Sequence, residues 1–417
     1  MKKIFCLLIA SHTLLTVSSC KKGDAANIIT VLTNRVEFAS YIELFNAEHE
    51  TQKAVLVYKE DVNASLSELR AREADIIVGS FLDNARSLQY FADLSAFFGE
   101  NKTSAKIDKN AFYPAFFDPT FFDSAFSGAA SSARIYLLPV SFNLPIMLYA
   151  TLNDTYIPAS AQKSQRIDME NIKKSAAQYN KKNAAVYTNM GFGVTWNYDF
   201  LWLCAKLYGI AHNSNTPETK KLDEEKNEGL KKYLRDFVAQ NTSASFENEF
   251  AFRYLYQQPL EQAASAKSLY IYSTSAIFSD WINAASAANG ECNFLWITQD
   301  AGDGGKLLCE DDAVFLGKYK KSKNKDADVF IAWFFQEATQ KKLLARSNKM
   351  NITGQTFGLA GGFSALKSVN ENFGAYYPML KNLPDEQQIM PPIANSTDNM
   401  SAQKAALIHE LLQAIAR

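Results

Sequence analysis

The sequence predicts an α/β protein of two domains, and three observations predict it. Short β-branched runs alternate with helical spacing through the first eighty residues. Strand, helix, strand, helix, strand implies a parallel sheet with crossover helices. The chain left after a cleavable leader is about 398 residues, more than one core usually organises. Hydrophobic residues at 47% supply enough apolar surface to bury.

The N-terminus sets the address. Met1-Lys2-Lys3 is a positive start, Ile4 to Val17 is mostly apolar but too short to span a bilayer, and Ser18-Ser19-Cys20 follows. That order reads as a signal peptide over residues 1–19. A cysteine directly after small residues resembles a lipobox, which makes Cys20 the lipid-bearing (palmitate-type) first residue of the mature chain. Val17-Ser18-Ser19-Cys20 departs from the commoner pattern of Leu at the first place and Ala or Gly at the third. Residues 20–27 then form a polar tether. The expected location is the cell membrane, facing the periplasm or exterior. Losing residues 1–19 removes two lysines and no acids, leaving 41 Lys+Arg against 44 Asp+Glu. A formal −3 argues against a nucleic-acid binder. No later stretch of about 18 uncharged apolar residues occurs.

Along the chain, Ile28–Leu32, Ala54–Tyr58 and Asp75–Gly79 read as strands, with helices through Phe38–Phe45 and Leu66–Arg70 between them. Ligands of such sheets bind at the carboxyl ends of strands, so Thr33-Asn34-Arg35 and Ser80-Phe81-Leu82-Asp83-Asn84 are candidate ligand loops. Phe112, Tyr113, Phe116, Phe117, Phe121, Phe122 and Phe126, broken by Pro114 and Pro119, read as packing. Ile135–Asn143 and Ile146–Tyr149 read as two strands joined through a bend. A helix over Met169–Lys181, a strand at Ala184–Tyr187, a glycine loop at 190–196 and a helix over Tyr198–Tyr208 follow. Pro217–Arg235 reads as a charged helix with a solvated face. Ser268–Tyr272 is a strand before a helix over Ala276–Ala288. Ala327–Leu344 reads as one helix after the lysine-rich loop 318–325, and Ala402–Ala416 as the last. No repeat of fixed period is visible.

Three cysteines remain beyond Cys20. Cys204, within an apolar run, reads as a buried small hydrophobe. Cys292 and Cys309 could close a short disulfide loop that an oxidising compartment permits.

The order of these elements resembles the extracellular solute-binding proteins of carbohydrate-type ABC importers, the maltose-binding-protein group. Four places carry the resemblance: Ile29–Arg35 as opening strand and first ligand loop; Leu138–Asn143 with Leu148-Tyr149 as the crossover into a second lobe, although Ala150 stands where Asn often follows; Leu269–Ser275 with Trp281 as the return; and Trp333–Gln340. The resemblance implies a two-lobed periplasmic-binding-protein fold of class II type. Each lobe is a mainly parallel sheet flanked by helices, and strands form the hinge. Lobe 1 would join 28–138 with 276–345 and lobe 2 would join 144–272 with 346–417. The hinge would lie near 139–143, 272–275 and 346–352. It implies a monomer that closes over a sugar or sugar-like polyol and docks on membrane permease subunits. No cofactor or metal is implied.

Sugars need planar donors and acceptors for hydroxyls and flat aromatic faces for C–H surfaces. Arg35 offers a rigid fork, with an ion pair to Glu37 as its alternative. Asn84 and Asn143 stand at strand exits, where a turn-stabilising amide competes. Trp196 is the first aromatic candidate, followed by Tyr198 and Trp281, all competing with core packing. Ser273 and Ser275 could meet a ligand or cap the next helix. Gly361, Gly362 and Phe363 read as a turn that lets backbone N–H approach a ligand, or as a plain loop. Asp303, Glu310, Asp311 and Asp312 lack EF-hand spacing and read as a solvated loop. No hydrolase, metalloprotease or phosphate-cradle motif is present. The alternatives to transport are a surface lipoprotein that binds a host or glycan partner, and a hydrolase, whose paired carboxylates leave no local signature.

Overall fold

The computed structural model describes residues 28–98, 106–117, 134–183, 186–210, 217–241, 250, 254, 256–287, 291–299, 305–351, 356–380, 382–383, 385–392 and 400–416. The signal segment, Cys20, the tether to residue 27, Phe121, Phe122, Phe126 and Asp303 lie outside the described residues. The three opening apolar runs form β1 (Ile29–Thr33), β2 (Ala54–Tyr58) and β3 (Ile76–Ser80). They pair in parallel with β1 in the middle. β1 and β3 are covered on both faces, so their sequences are continuous rather than alternating.

Further along come β4 (Leu138–Phe142), β5 (Pro145–Ala150), β6 (Arg166–Asp168), the hairpin β7 (Lys181–Asn183) and β8 (Val186–Asn189), β9 (Ile271–Thr274) and β10 (Cys292–Thr298). β11 (Leu307–Leu308), β12 (Val314–Lys318), β13 (Phe363–Ser364) and β14 (Ile389–Met390) complete the set. The first sheet has the order β13-β4-β12-β3-β1-β2 and the second β6-β10-β5-β9. Both are mixed rather than mainly parallel, because β12 runs antiparallel to β3 and β4, and β5 antiparallel to β9 and β10. The reason is the passage between sheets. β4 leaves the first sheet at Phe142 and β5 enters the second at Pro145, so a strand coming back must oppose one that leaves.

Strand pairing runs across the expected partition. β10 belongs to the second sheet although 276–345 is expected in the first lobe, and β13 joins β4 in the first although 346–417 is expected in the second. The return to the first sheet runs through Glu310–Ala313 between β11 and β12 rather than 272–275, and the chain after 346–352 is still in the first sheet at β13. Residues 346–352 end the helix Glu337–Lys349, which packs on the helix Phe38–Glu48. The helix expected over Ala327–Leu344 is two, Ala327–Phe334 and Glu337–Lys349, parted where Gln336 turns extended.

Alternation along β5 and β10 explains how the parts cohere. Ile146, Leu148, Phe294 and Trp296 face the core that also fills the first sheet; Met147, Tyr149, Leu295 and Ile297 face a second core. The second sheet is thus a partition with apolar packing on both sides. The second core is closed by the helices Tyr198–Leu207, Pro217–Asn241 and Met400–Ile415. Phe112, Tyr113 and Phe116 are core residues, as the aromatic crowding suggests. No helix among the described residues is long and apolar enough to cross a membrane.

The expected disulfide is absent: Cys204, Cys292 and Cys309 are free thiols.

Candidate ligand-binding cleft

A cleft of about 1460 Å³ opens at the carboxyl ends of β1 and β3. Its first wall is built from loops that follow those strands. Asn34 follows β1, and its Nδ2 donates to Glu60 O at 3.4 Å, while its Oδ1 accepts nothing from the described groups. Asp61 caps the turn Val62–Ser65 by accepting from Ala64 N–H at 2.8 Å. Asn84 accepts from Ser87 N–H at 2.9 Å and donates to Phe81 O at 2.8 Å, which fixes the loop after β3. Phe81 sits there at φ 59° and is 46% exposed, on the cleft. A bulky residue in left-handed backbone is strained, and strain of that kind concentrates at functional sites.

The facing wall comes from the second core. Trp196 ends the turn Val194–Trp196 and Tyr198 begins the next helix; they are 36% and 55% exposed. A Cβ on Gly193 would lie 2.7 Å from Trp196 Cε3, so glycine there lets the indole lie down on the backbone. Ser273 and Thr274 at the end of β9, Asp199, and Lys404 of the last helix complete this wall, with Lys404 paired to Asp199.

The floor is the connector Glu310-Asp311-Asp312, which is not the solvated loop its composition suggests. Lys206, whose side chain has 0% exposure, reaches Glu310 Oε2 at 3.3 Å and Asp311 Oδ1 at 3.2 Å. Trp202 Nε1–H donates to Asp311 Oδ2 at 2.7 Å and the Tyr272 hydroxyl donates to Glu310 Oε1 at 2.7 Å. Burial pushes the Glu310 carboxyl above its ordinary range, against the pull of Lys206. Burial alone would lower the Lys206 ammonium, but the two carboxylates outweigh it and hold it above its ordinary value. Asp312 is likewise raised by burial, with Arg35 and Asn143 opposing. Ser80 Oγ–H donates to the Asp312 carbonyl at 2.6 Å and accepts from Arg35 Nη2 at 2.6 Å.

The structure therefore divides the sequence candidates. Asn84, Trp196, Tyr198 and Ser273 line the cleft. Arg35 lies behind it, bracing Ser80 rather than lining the wall. Asn143 and Ser275 are buried where β4 passes to β5: Ser275 Oγ–H donates to Asn143 Oδ1 at 2.8 Å and Asn143 Nδ2 donates to Gly361 O at 3.0 Å. Trp281 is 0% exposed, its Nε1–H bound to Asn293 O, so core packing wins there. Gly361 stands at φ 83° beside Arg35, Gly362 lies against the Phe142 backbone, and Phe363 is buried in β13; none of the three lines the cleft.

Glu310, Asp311, Lys206 and Trp202 were missed. Two signals mark them: a lysine inside the apolar run Phe200–Leu207, which needs a buried partner, and three acids wedged between apolar strands.

No protein-family model matches the sequence, and no curated protein matches it. Solved structures do match its fold. A sugar transporter from Rhizobium etli in an open conformation is 13% identical, with 93% of this chain and 98% of that one covered at a TM-score of 0.62. CpMnBP1 with mannotriose bound is 15% identical, covering 93% and 95% at 0.55. Thiaminase I from Bacillus thiaminolyticus is 13% identical, covering 93% and 99% at 0.56. Binding proteins and an enzyme thus share this architecture, and at such identities likeness speaks for fold and not for ligand. The chain carries the two-lobed fold of the extracellular solute-binding proteins.

Proposed function

We propose that this protein captures a sugar or sugar-like polyol between its lobes and delivers it to the permease of an ABC importer, held at the membrane through a lipid on Cys20. The observation that carries the reading is the pairing of walls. Phe81 stands on one side, Trp196 and Tyr198 on the other, and Asn34, Asp61 and Asp199 border them. Rings take the C–H faces of a pyranose, while amides and carboxylates accept its hydroxyls. The neighbours with mannotriose and with α-D-tagatose bound support the same chemistry in this fold.

A thermal-shift panel tests the ligand class. A ligand at 100 times its Kd adds about 2.7 kcal/mol. Sugars should raise the melting temperature. If amino acids, peptides or metals raise it and sugars do not, the carbohydrate assignment fails. Cys20→Ala should release the protein from membranes washed at high salt, which screens surface charge; association that survives the wash would count against the anchor.

An enzyme reading draws on Glu310 and Asp312, carboxyls raised by burial at the cleft floor as an acid catalyst requires. Their hydrogen bonds to Tyr272 and Asn143 favour a structural role. Turnover of a glycoside, abolished by Glu310→Gln, would reverse that preference.

A further inference from the structure

The lysine-rich loop that follows β12 is left unused by ligand capture, and its position is informative. Strand polarity puts it at the amino ends of β1 and β3, opposite the carboxyl ends that open on the cleft. Asn324 Nδ2 donates to Ile28 O at 3.2 Å and to Asp75 Oδ2 at 3.2 Å. Asp75 also accepts from Thr30 N–H at 2.9 Å and from Ser322. The Tyr319 hydroxyl donates to Leu69 O at 2.8 Å, which ties in the loop after residue 69. The loop is thus held at the point where the chain enters the fold.

Lys320, Lys321, Lys323 and Lys325 are exposed there, and Arg70 and Arg72 are exposed on the neighbouring loop. Opposing acids are few. Asp75 is buried and bonded inward, Glu73 is exposed, and Asp326 is half-buried. Lys318 is already paired with Asp328 at 2.6 Å. Residues 20–27, which contain Lys21 and Lys22, precede Ile28. Eight residues reach about 28 Å at most, so an anchored chain presents this end of the molecule to the bilayer.

We propose that this basic end is a membrane-contact surface that rests on anionic phospholipid headgroups with the cleft turned outward. The proposal rests on the anchored reading, because the short tether is what brings this end to the lipid. Each lysine near an anionic surface adds attraction that salt screens within about 10 Å, so the contact is reversible and the receptor remains free to turn.

The test uses the mature chain with Cys20→Ala, so that no acyl group contributes, and sedimentation with phosphatidylglycerol-containing or pure phosphatidylcholine vesicles. Binding should require phosphatidylglycerol and fade between about 0.02 and 0.3 M salt. The variant K320Q/K321Q/K323Q/K325Q should partition at least about tenfold more weakly. A charge-matched control, Lys163, Lys174, Lys232 and Lys349 all changed to Gln, should partition like the parent. Equal binding to both vesicles, an unaffected loop variant, or an equal loss in the control would overturn the surface. Fractionation of the Cys20 chain reads the anchor separately, so failure of one is distinguishable from failure of the other.

Discussion

Replacing Lys206 by Met is the sharpest test of the cleft floor. Methionine preserves length and apolar volume, so packing changes little and the perturbation is the charge. Lys206 holds Glu310 at 3.3 Å and Asp311 at 3.2 Å from a side chain with 0% exposure, while the two carboxylates are each 13% exposed. Removing one partner of a buried ionic group leaves the rest uncompensated and costs about 3–5 kcal/mol. Urea denaturation at neutral pH, followed by tryptophan fluorescence, should show a loss of that size. The triple variant K206M/E310Q/D311N, in which neither carboxylate partner of Lys206 is left charged, should recover most of it. The single variant should also regain stability on acidification, because carboxyls raised further in the folded state bind protons more tightly folded than unfolded. A single variant within about 1 kcal/mol of the parent, or a triple no better than the single, would refute the account of the floor.

Other expectations can be checked as directly. Trp196→Ala should weaken ligand affinity by tenfold or more while leaving the urea midpoint nearly unchanged, because the indole is partly exposed; unchanged affinity by calorimetry would remove it from the pocket. Glu310 is raised in the folded state, so its contribution is present below about pH 4.5 and lost as pH rises through the folded value. Glu310→Gln should therefore compare more favourably with the parent at pH 7 than at pH 5, and an unchanged difference between those pH values would contradict this. Under non-reducing denaturation Cys204, Cys292 and Cys309 should each take a thiol label, and any disulfide-linked Cys292–Cys309 peptide found by mass spectrometry would contradict the free thiols.

Local signals carried the parts of the fold that are local. β1, β2 and β3 appear within a residue of their expected places because each is an apolar run ended by polar residues, and their parallel pairing follows from the helices between them. β10 and β12 were not among the expected strands, although Phe294-Leu295-Trp296-Ile297 and Val314-Phe315-Leu316 have strand composition. Which sheet a returning strand joins is decided by pairing across more than a hundred residues, as with Phe294 opposite Leu148, and no neighbour in sequence encodes that. The aromatic candidates separate for a similar reason. Trp196 and Trp281 are alike in sequence, but only the first follows a glycine loop that lifts it to the surface, while the second lies inside a helix on the core side.

The connector also shows why a charged floor suits a two-lobed protein. Glu310 and Asp311 are tied to Tyr272, Trp202 and Lys206, all from the side of the second core. Asp312 is tied to Ser80 and Asn143, with Arg35 close by, on the side of the first sheet. The side-chain partners change sides between Asp311 and Asp312. The neighbouring passage from β4 to β5 is joined to it, since Glu310 N–H donates to Asn143 O at 2.9 Å. These bonds fix the connector to both sides of the molecule at once. An apolar connector would leave the buried Lys206 without a partner, whereas the paired charges tie Glu310, Asp311 and Asp312 to both sides.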